Sequence, residues 1–239
     1  MALHVERAVV IGSRGGIGAA LCSALAAQGT RVHALSRGGA TSDARLIAGD
    51  IDVEDEASIA LAASALSGQG PLDLVIVASG LLHAGDLAPE KSYRQLSAAA
   101  LSRYFSVNAT GPALVAKHFL PLLRRDRRAV FAALSARVGS IGDNRLGGWH
   151  GYRASKAALN MIVKTLSIEL SRTHPEAACV ALHPGTVATD LSAPFRSNVP
   201  GDRLFGADTS ARRLLDVIAG LSSSDTGGIF AWDGSPITP

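Results

Sequence analysis

Short apolar runs alternate with longer segments of helical period along the chain, and few architectures accept that order. The runs are Ala8–Ile11, Val32–Ser36, Leu46–Gly49, Leu74–Ala78, Ala129–Leu134, Cys179–His183 and Ile229–Trp232. Helical stretches lie near Gly16–Gln28, Glu54–Ser67, Ala99–Leu123, Tyr152–Arg172 and Ser210–Gly220. Strands that alternate with helices pair in parallel through helical crossovers, and a strand covered on both faces reads as an unbroken apolar run. The pattern predicts an α/β fold: a doubly wound parallel sheet of seven strands with helices on both faces, as one domain over residues 1–239. The largest break in periodicity is Thr189–Asp208, rich in Pro, Gly, Ser and Asn, which is expected to form a substrate loop.

Composition removes several alternatives. A chain of 239 residues with 47% hydrophobic and 18% charged residues can bury a substantial core, which argues against disorder. Net charge is +3 and the basic residues are dispersed, so nucleic acid is not an expected partner. The exception is Arg124, Arg125, Arg127 and Arg128, expected as a solvated helix C-terminus where cations complement the dipole. Only Cys22 and Cys179 occur, both in segments that read as core. Cysteine poverty, and the lack of a leader-like apolar stretch after His4-Val5-Glu6-Arg7, point to the reducing cytoplasm. No apolar run approaches the roughly 20 residues that span a bilayer, so no membrane is expected. His83 and His118 have no Cys, His or carboxylate at ligand spacing, so no metal is expected either.

Two motifs carry chemistry. Gly12-Ser13-Arg14-Gly15-Gly16-Ile17-Gly18 lies between the first strand and first helix, where glycines let backbone approach a pyrophosphate and the helix N-terminus favours negative charge. That context makes Rossmann-type dinucleotide binding the expectation. An acidic residue at the end of the second strand would bond a ribose 2′-hydroxyl and repel a 2′-phosphate, but Ser36-Arg37 stands there, with Arg14 as a second cation. NADP(H) is therefore expected in preference to NAD(H). The second motif is Tyr152 and Lys156, one helical turn apart and so on one face. A free phenol has a pKa of about 10, and each tenfold gain in its acidity constant takes about 1.36 kcal/mol, so reaching pH 7 takes about 4 kcal/mol of cationic field. A lysine and a positively charged nicotinamide would supply it, and the pair reads as an oxidoreductase.

The glycine spacing and its companions resemble the short-chain dehydrogenase/reductase family over nearly the whole chain. The landmarks occur in order: Gly12, Gly16 and Gly18; Asp50-Ile51; Gly80; Asn108 in Val107-Asn108-Ala109; Tyr152 and Lys156; Pro184-Gly185-Thr186-Val187-Ala188-Thr189; and Asp233-Gly234. Within the family, Ser135 to Asn144 followed by Gly147 to Lys156 looks like the branch of sniffer-type carbonyl reductases and C-factor signalling proteins, and Leu182-His183-Pro184-Gly185 agrees. The resemblance implies that Tyr152 protonates a carbonyl oxygen as hydride arrives, and that Lys156 lowers the tyrosine pKa and holds the nicotinamide ribose. Asn108 would anchor a water in a proton relay. Asp50 and Ile51 would flank the adenine, and Pro184, Gly185, Val187 and Thr189 would lie along the nicotinamide and phosphates. The usual Asn-Asn-Ala-Gly is Val77-Ala78-Ser79-Gly80 here, so Ser79 and Gly80 carry over only as backbone neighbours of the cofactor.

The substrate side departs further. The family pattern Ser-Ser-x-x-Gly appears as Ser135-Ala136-Arg137-Val138-Gly139, which puts Ala136 at the position of the carbonyl-holding serine. Ser135 takes that role only if the strand end twists or bulges, and Ser140 is the other candidate. Trp149 and His150 either line the pocket or anchor packing. The implied activity is reversible NADPH-dependent reduction of a small ketone or aldehyde. The competing reading is a regulatory protein that keeps the dinucleotide fold with little or no turnover. The helices Ala99–Leu123 and Tyr152–Arg172 resemble those that pair subunits in the family, which implies a homodimer or homotetramer unless their apolar faces pack only on the sheet.

Overall fold

The computed structural model describes residues 4–195 and 204–239. Every predicted apolar run is a strand, and the seven form one sheet with all pairings parallel: β1 (Arg7–Ile11), β2 (Arg31–Ser36), β3 (Leu46–Asp50), β4 (Leu74–Val77), β5 (Ala129–Leu134), β6 (Ala177–His183) and β9 (Ile229–Ala231). Their order is β3-β2-β1-β4-β5-β6-β9. The direction of winding reverses between β1 and β4, so the chain leaves a crevice there at the C-terminal strand ends, where open α/β sheets bind ligands.

Alternation along the strands builds two cores. Val9, Ile11, Val75, Phe131 and Cys179 face one layer, made by α2 (Glu56–Ser67), α4 (Gly111–Phe119) and α5 (His150–Leu170). Ala8, Val10, Ile76, Val130 and Val180 face the other, made by α1 (Gly16–Ala27) and α6 (Ala207–Gly220), with Cys22 among them. Both cysteines are buried and free.

Three expectations need correction. The stretch Ala99–Leu123 is not one helix: α3 (Ala98–Phe105) passes into a π-helical turn at Ser106–Thr110 before α4 begins. Pro112 explains the break, because it has no N–H for the carbonyl of Asn108 four residues back and its ring crowds that carbonyl. The arginine cluster is not a solvated helix end. Arg124 and Arg127 close on the buried carboxylate of Asp73 at 2.6 and 3.1 Å, and Asp73 also accepts the backbone N–H groups of Glu6 and Arg7. Arg128 donates to the carbonyls of Leu221 and Ala219 at the end of α6. Finally, the predicted loop 189–208 is not wholly irregular: Asp190–Phe195 form a 3₁₀ turn, and β8 (Leu204–Phe205) pairs with β7 (Thr186–Val187). The middle of that loop lies outside the described residues.

Candidate active site

Two cavities meet at the C-terminal ends of the strands. The first, of about 580 Å³, runs across the ends of β1, β2 and β4 and is lined by Gly12, Arg14, Ser36, Arg37, Ile51, Ser79 and Gly80 among others. Backbone shapes it. Gly12 has φ +85°, and a side chain there would lie 2.7 Å from the amide nitrogen of Ser79; only glycine takes that conformation without strain. A Cβ on Gly18 would overlap the carbonyl oxygen of Gly12, and one on Gly16 would sit 2.6 Å from Thr189 Cγ2. These three glycines let the turn fold back on the start of α1, whose first N–H groups have no intrahelical acceptors.

Charge in this cleft is arranged at the β2 end. Arg14 donates to the backbone carbonyl oxygen of Arg37 at 3.2 Å, both residues are exposed and line the cleft, and neither forms an ion pair among the described residues. Ser36 Oγ and Ser79 Oγ are buried there without a partner. Two orphaned hydroxyls, two unpaired arginines and a free helix N-terminus fit the hydroxyl and phosphate groups of a phosphorylated dinucleotide.

Asp50 requires a correction. It does not line the cleft; its carboxylate accepts the N–H of Gly38 at 2.7 Å and so ties the turn after Arg37 to the end of β3. Ile51, buried at 2% exposure, and Asp52 line the cleft in its stead, with Val53 beside them.

The second cavity, of about 660 Å³, lies beyond β5 and β6. Ile17, Ser135, Ala136, Tyr152, Pro184, Gly185, Val187 and Thr189 line it, together with Leu82, Trp149, Leu191 and Phe195. Trp149 stacks edge-on against Phe195 at 5.0 Å and against Tyr152 at 6.2 Å, so the indole is both a cavity wall and a packing anchor. Trp149 adopts φ 54°, the only non-glycine described residue at positive φ, and its N–H is held by the Glu90 carbonyl at 2.5 Å. His150 is half-buried at the start of α5 and is not among the lining residues.

Tyr152 and Lys156 stand between the cavities. Both are buried, at 7% and 3% exposure, and Lys156 Nζ lies 5.9 Å from the centre of the Tyr152 ring. The ammonium donates to the Leu134 carbonyl at 2.9 Å, and it lies 3.8 Å from where a Cβ on Gly80 would project, next to the first cavity. Burial, with Tyr104 beside it, pushes the Tyr152 phenol above its ordinary value, and burial lowers Lys156 to about 8. The protein's own field therefore does not make Tyr152 more acidic in this structure, contrary to the expectation from the Lys156 spacing. Desolvation outweighs the lysine, which spends its hydrogen bond on a carbonyl.

Asn108 is fully buried in the π turn. Its Nδ2 donates to Leu81 O at 2.8 Å and to Ser155 Oγ at 3.1 Å, and its Oδ1 accepts from Leu81 N at 2.8 Å. The side chain thus staples the segment after β4 to α5. Ser135 is turned toward α5 and donates to Asn160 Oδ1 at 2.7 Å, as alternation along β5 requires. Ser140 is no nearer the cavity, since its Oγ accepts the Asp143 N–H at 3.0 Å. The methyl of Ala136 joins Val138, Tyr152 and Trp149 in a small apolar cluster.

A profile of the short chain dehydrogenase family matches residues 6–200. The chain belongs to this family. Its members are oxidoreductases, and the doubly wound sheet with the glycine turn and Tyr152/Lys156 accords with membership. Among curated relatives, C-signal of Myxococcus xanthus is 36% identical over 169 residues, 70% of this chain and 93% of that protein. A 1-hydroxy-2-glutathionyl-2-methyl-3-butene dehydrogenase of Rhodococcus sp. (strain AD45) is 30% identical over 187 residues, 77% of this chain and 76% of the relative. Among solved structures, NADPH-bound carbonyl reductase from chicken fatty liver superposes with a TM-score of 0.85 at 26% identity, covering 99% of this chain and 95% of that one. The carbonyl reductase Sniffer of D. melanogaster shares the fold at a TM-score of 0.85 and 24% identity, with 99% and 100% covered. Among the described residues no helix is long and apolar enough to cross a membrane, and no group of three or more His, Cys, Asp or Glu is placed to hold a metal ion.

Proposed function

We propose that this chain is an NADPH-dependent reductase of ketones or aldehydes, working reversibly, with Tyr152 as the proton donor. One observation carries the reading: Tyr152 lines the second cavity while Lys156, one turn on, lies beside Gly80 at the edge of the first. A donor in one cavity and an acceptor in the other would meet at the phenol. The chicken-liver reductase binds NADPH, and Arg14 and Arg37, both lining the first cavity, suit the extra phosphate of that cofactor over NADH.

When bound, the nicotinamide supplies the hydride; the residues do the rest. Gly12, Gly16, Ile17, Gly18, Ser79 and Gly80 shape the path of the pyrophosphate and ribose, with Pro184, Gly185, Val187 and Thr189 closing the nicotinamide end. A raised phenol pKa keeps Tyr152 protonated at neutral pH, ready to give its proton to the carbonyl oxygen, which is worth on the order of 10²- to 10⁴-fold in rate. Lys156 at about 8 remains charged at pH 7 and offsets the negative charge left on the phenol. Asn108 holds the backbone around Leu81 against α5, next to Lys156, and its main-chain carbonyl is the proposed acceptor for a relaying water. Ala136 leaves the carbonyl without a serine, so the substrate oxygen relies on Tyr152 and the backbone. Ser135 serves this site through Asn160 on α5.

C-signal, a name that carries no reaction, favours a second reading: a cofactor-binding regulatory protein. A panel of aromatic and aliphatic aldehydes and ketones with NADPH separates them. The reductase reading expects turnover that falls at least 10²-fold in Tyr152→Phe while NADPH affinity stays within a few-fold. NADPH binding with no Tyr152-dependent turnover on any carbonyl favours the regulatory protein. A homo-oligomer is part of the proposal, since Met161 and Ile168 on α5 are 67% and 52% exposed, and sedimentation tests it.

A further inference from the structure

The second cavity has both apolar and cationic side chains in its lining. Trp149, Phe195, Leu82 and Val138 make the apolar wall. The charged side chains among its described lining are Arg137, Arg145, Arg153 and Asp143, three cations against one anion. Arg137 and Asp143 pair at 3.0 Å and cancel. Arg145 and Arg153 have no ion-pair partner among the described residues. His183, also in the lining, is held near pKa 4 by burial and then by Arg137, so it adds no charge at neutral pH.

Arg153 is placed by the backbone. Its Nε donates to Gly148 O at 3.0 Å and its Nη1 to Val138 O at 3.2 Å. Two carbonyls from different segments thus fix the guanidinium next in sequence to Tyr152, in a half-buried setting. A guanidinium has five N–H donors, so three remain for a ligand. Holding that fork in advance lowers the entropy lost when it grips an anion, and the partly buried wall strengthens the attraction. A cavity meant for a neutral apolar carbonyl has no use for two uncompensated cations. An apolar body with an anionic end satisfies both kinds of side chain at once.

We propose that the carbonyl substrate carries a carboxylate or like-charged group, gripped by Arg153 with Arg145 at the mouth, while its apolar body lies against Trp149 and Phe195. This deepens the reductase reading and rests on it for the identity of the reacting group. Arg153 acts in binding, so its contribution falls on KM more than on kcat.

The test uses a matched pair on the NADPH-loaded protein: 4-carboxybenzaldehyde and its methyl ester, methyl 4-formylbenzoate. The expected result is a kcat/KM about tenfold or more in favour of the carboxylate, expressed in KM, that shrinks as ionic strength rises. Arg153→Met should collapse the carboxylate-to-ester ratio toward one, with Arg153→Lys restoring part of it. Calorimetric binding of 4-(hydroxymethyl)benzoate and its methyl ester to the protein–NADPH complex, in which neither alcohol has a hydride acceptor, gives a readout free of turnover. Equal kcat/KM for the two aldehydes, or a ratio unchanged by Arg153→Met, overturns the proposal and leaves the reductase intact. Preferred, Arg153-dependent binding of the carboxylate alcohol without turnover of either aldehyde supports the anion site and sinks the reductase. Failure to bind or turn over the carboxylate member in preference overturns the anion site.

Discussion

The first cavity is made by backbone and the second by side chains. At the ends of β1, β2 and β4 the shape comes from Gly12, Gly16 and Gly18 and from the turn that Asp50 ties down at Gly38. Beyond β5 and β6 it comes from the side chains of Trp149, Phe195 and Leu82 and from Arg137, Arg145 and Arg153, the last carried on α5. Backbone geometry is tolerant of what surrounds it and suits a ligand common to many relatives. Walls made by loop side chains are free to differ from one relative to the next, and Ala136 in place of a serine is one such difference. A change in the first cavity should therefore alter cofactor binding for every substrate, whereas a change in the second should alter one substrate against another.

The most severe break in that comparison comes from Gly18→Ala. Its Cβ would overlap the Gly12 carbonyl, so the turn must shift as a unit. NADPH affinity should fall at least about 100-fold, equivalent to about 3 kcal/mol, for a protein whose circular dichroism still reports the sheet. Fluorescence titration of NADPH measures it, and unchanged affinity would mean the turn does not cradle the cofactor. Arg37→Asp should act on one feature of the same ligand. The preference for NADPH over NADH is expected to drop by about 10- to 100-fold, from loss of a charge-assisted contact and gain of repulsion, with folding unaffected. An unaltered ratio of the two dissociation constants would remove Arg37 from phosphate recognition. The smallest effect is expected from Ser135→Ala. Because the hydroxyl is engaged with Asn160, kcat should change less than about threefold, with a stability loss of about 1 kcal/mol from one buried hydrogen bond. A loss of turnover above about 10²-fold would show that Ser135 turns toward the substrate after all.

The same division between backbone and side chain governs what was legible in the sequence. Seven apolar runs announced seven strands, because parallel strands covered on both faces need unbroken apolar residues. Helix α5 and the Tyr152/Lys156 pair followed from spacing alone. The π turn was missed: Pro112 carries a breaker signal inside the stretch read as one helix, and the tie from Asn108 to Leu81 joins residues 27 apart in sequence. Asp50 was misplaced because its carboxylate is committed to the N–H of Gly38, a tie that periodicity does not show. Arg124, Arg127 and Arg128 looked solvated because their partners, Asp73 for the first two and the carbonyls of Leu221 and Ala219 for the third, lie more than 50 residues away. Long-range partners decide burial for charged groups, and periodicity carries no trace of them. The role of Arg153 was invisible for that reason too, since its position depends on carbonyls of Gly148 and Val138.

The central claim is that hydride carried in the first cavity reaches a carbonyl held in the second, with Tyr152 supplying the proton. Label transfer tests it most directly: the protein is incubated with an aromatic aldehyde and NADPH deuterated at the nicotinamide C4, and the alcohol is examined by mass spectrometry. The expected product carries one deuterium on the former carbonyl carbon, with no such product from Tyr152→Phe in the same time. NADPH that binds tightly yet yields no labelled alcohol, or labelled alcohol formed equally well by Tyr152→Phe, would contradict the account.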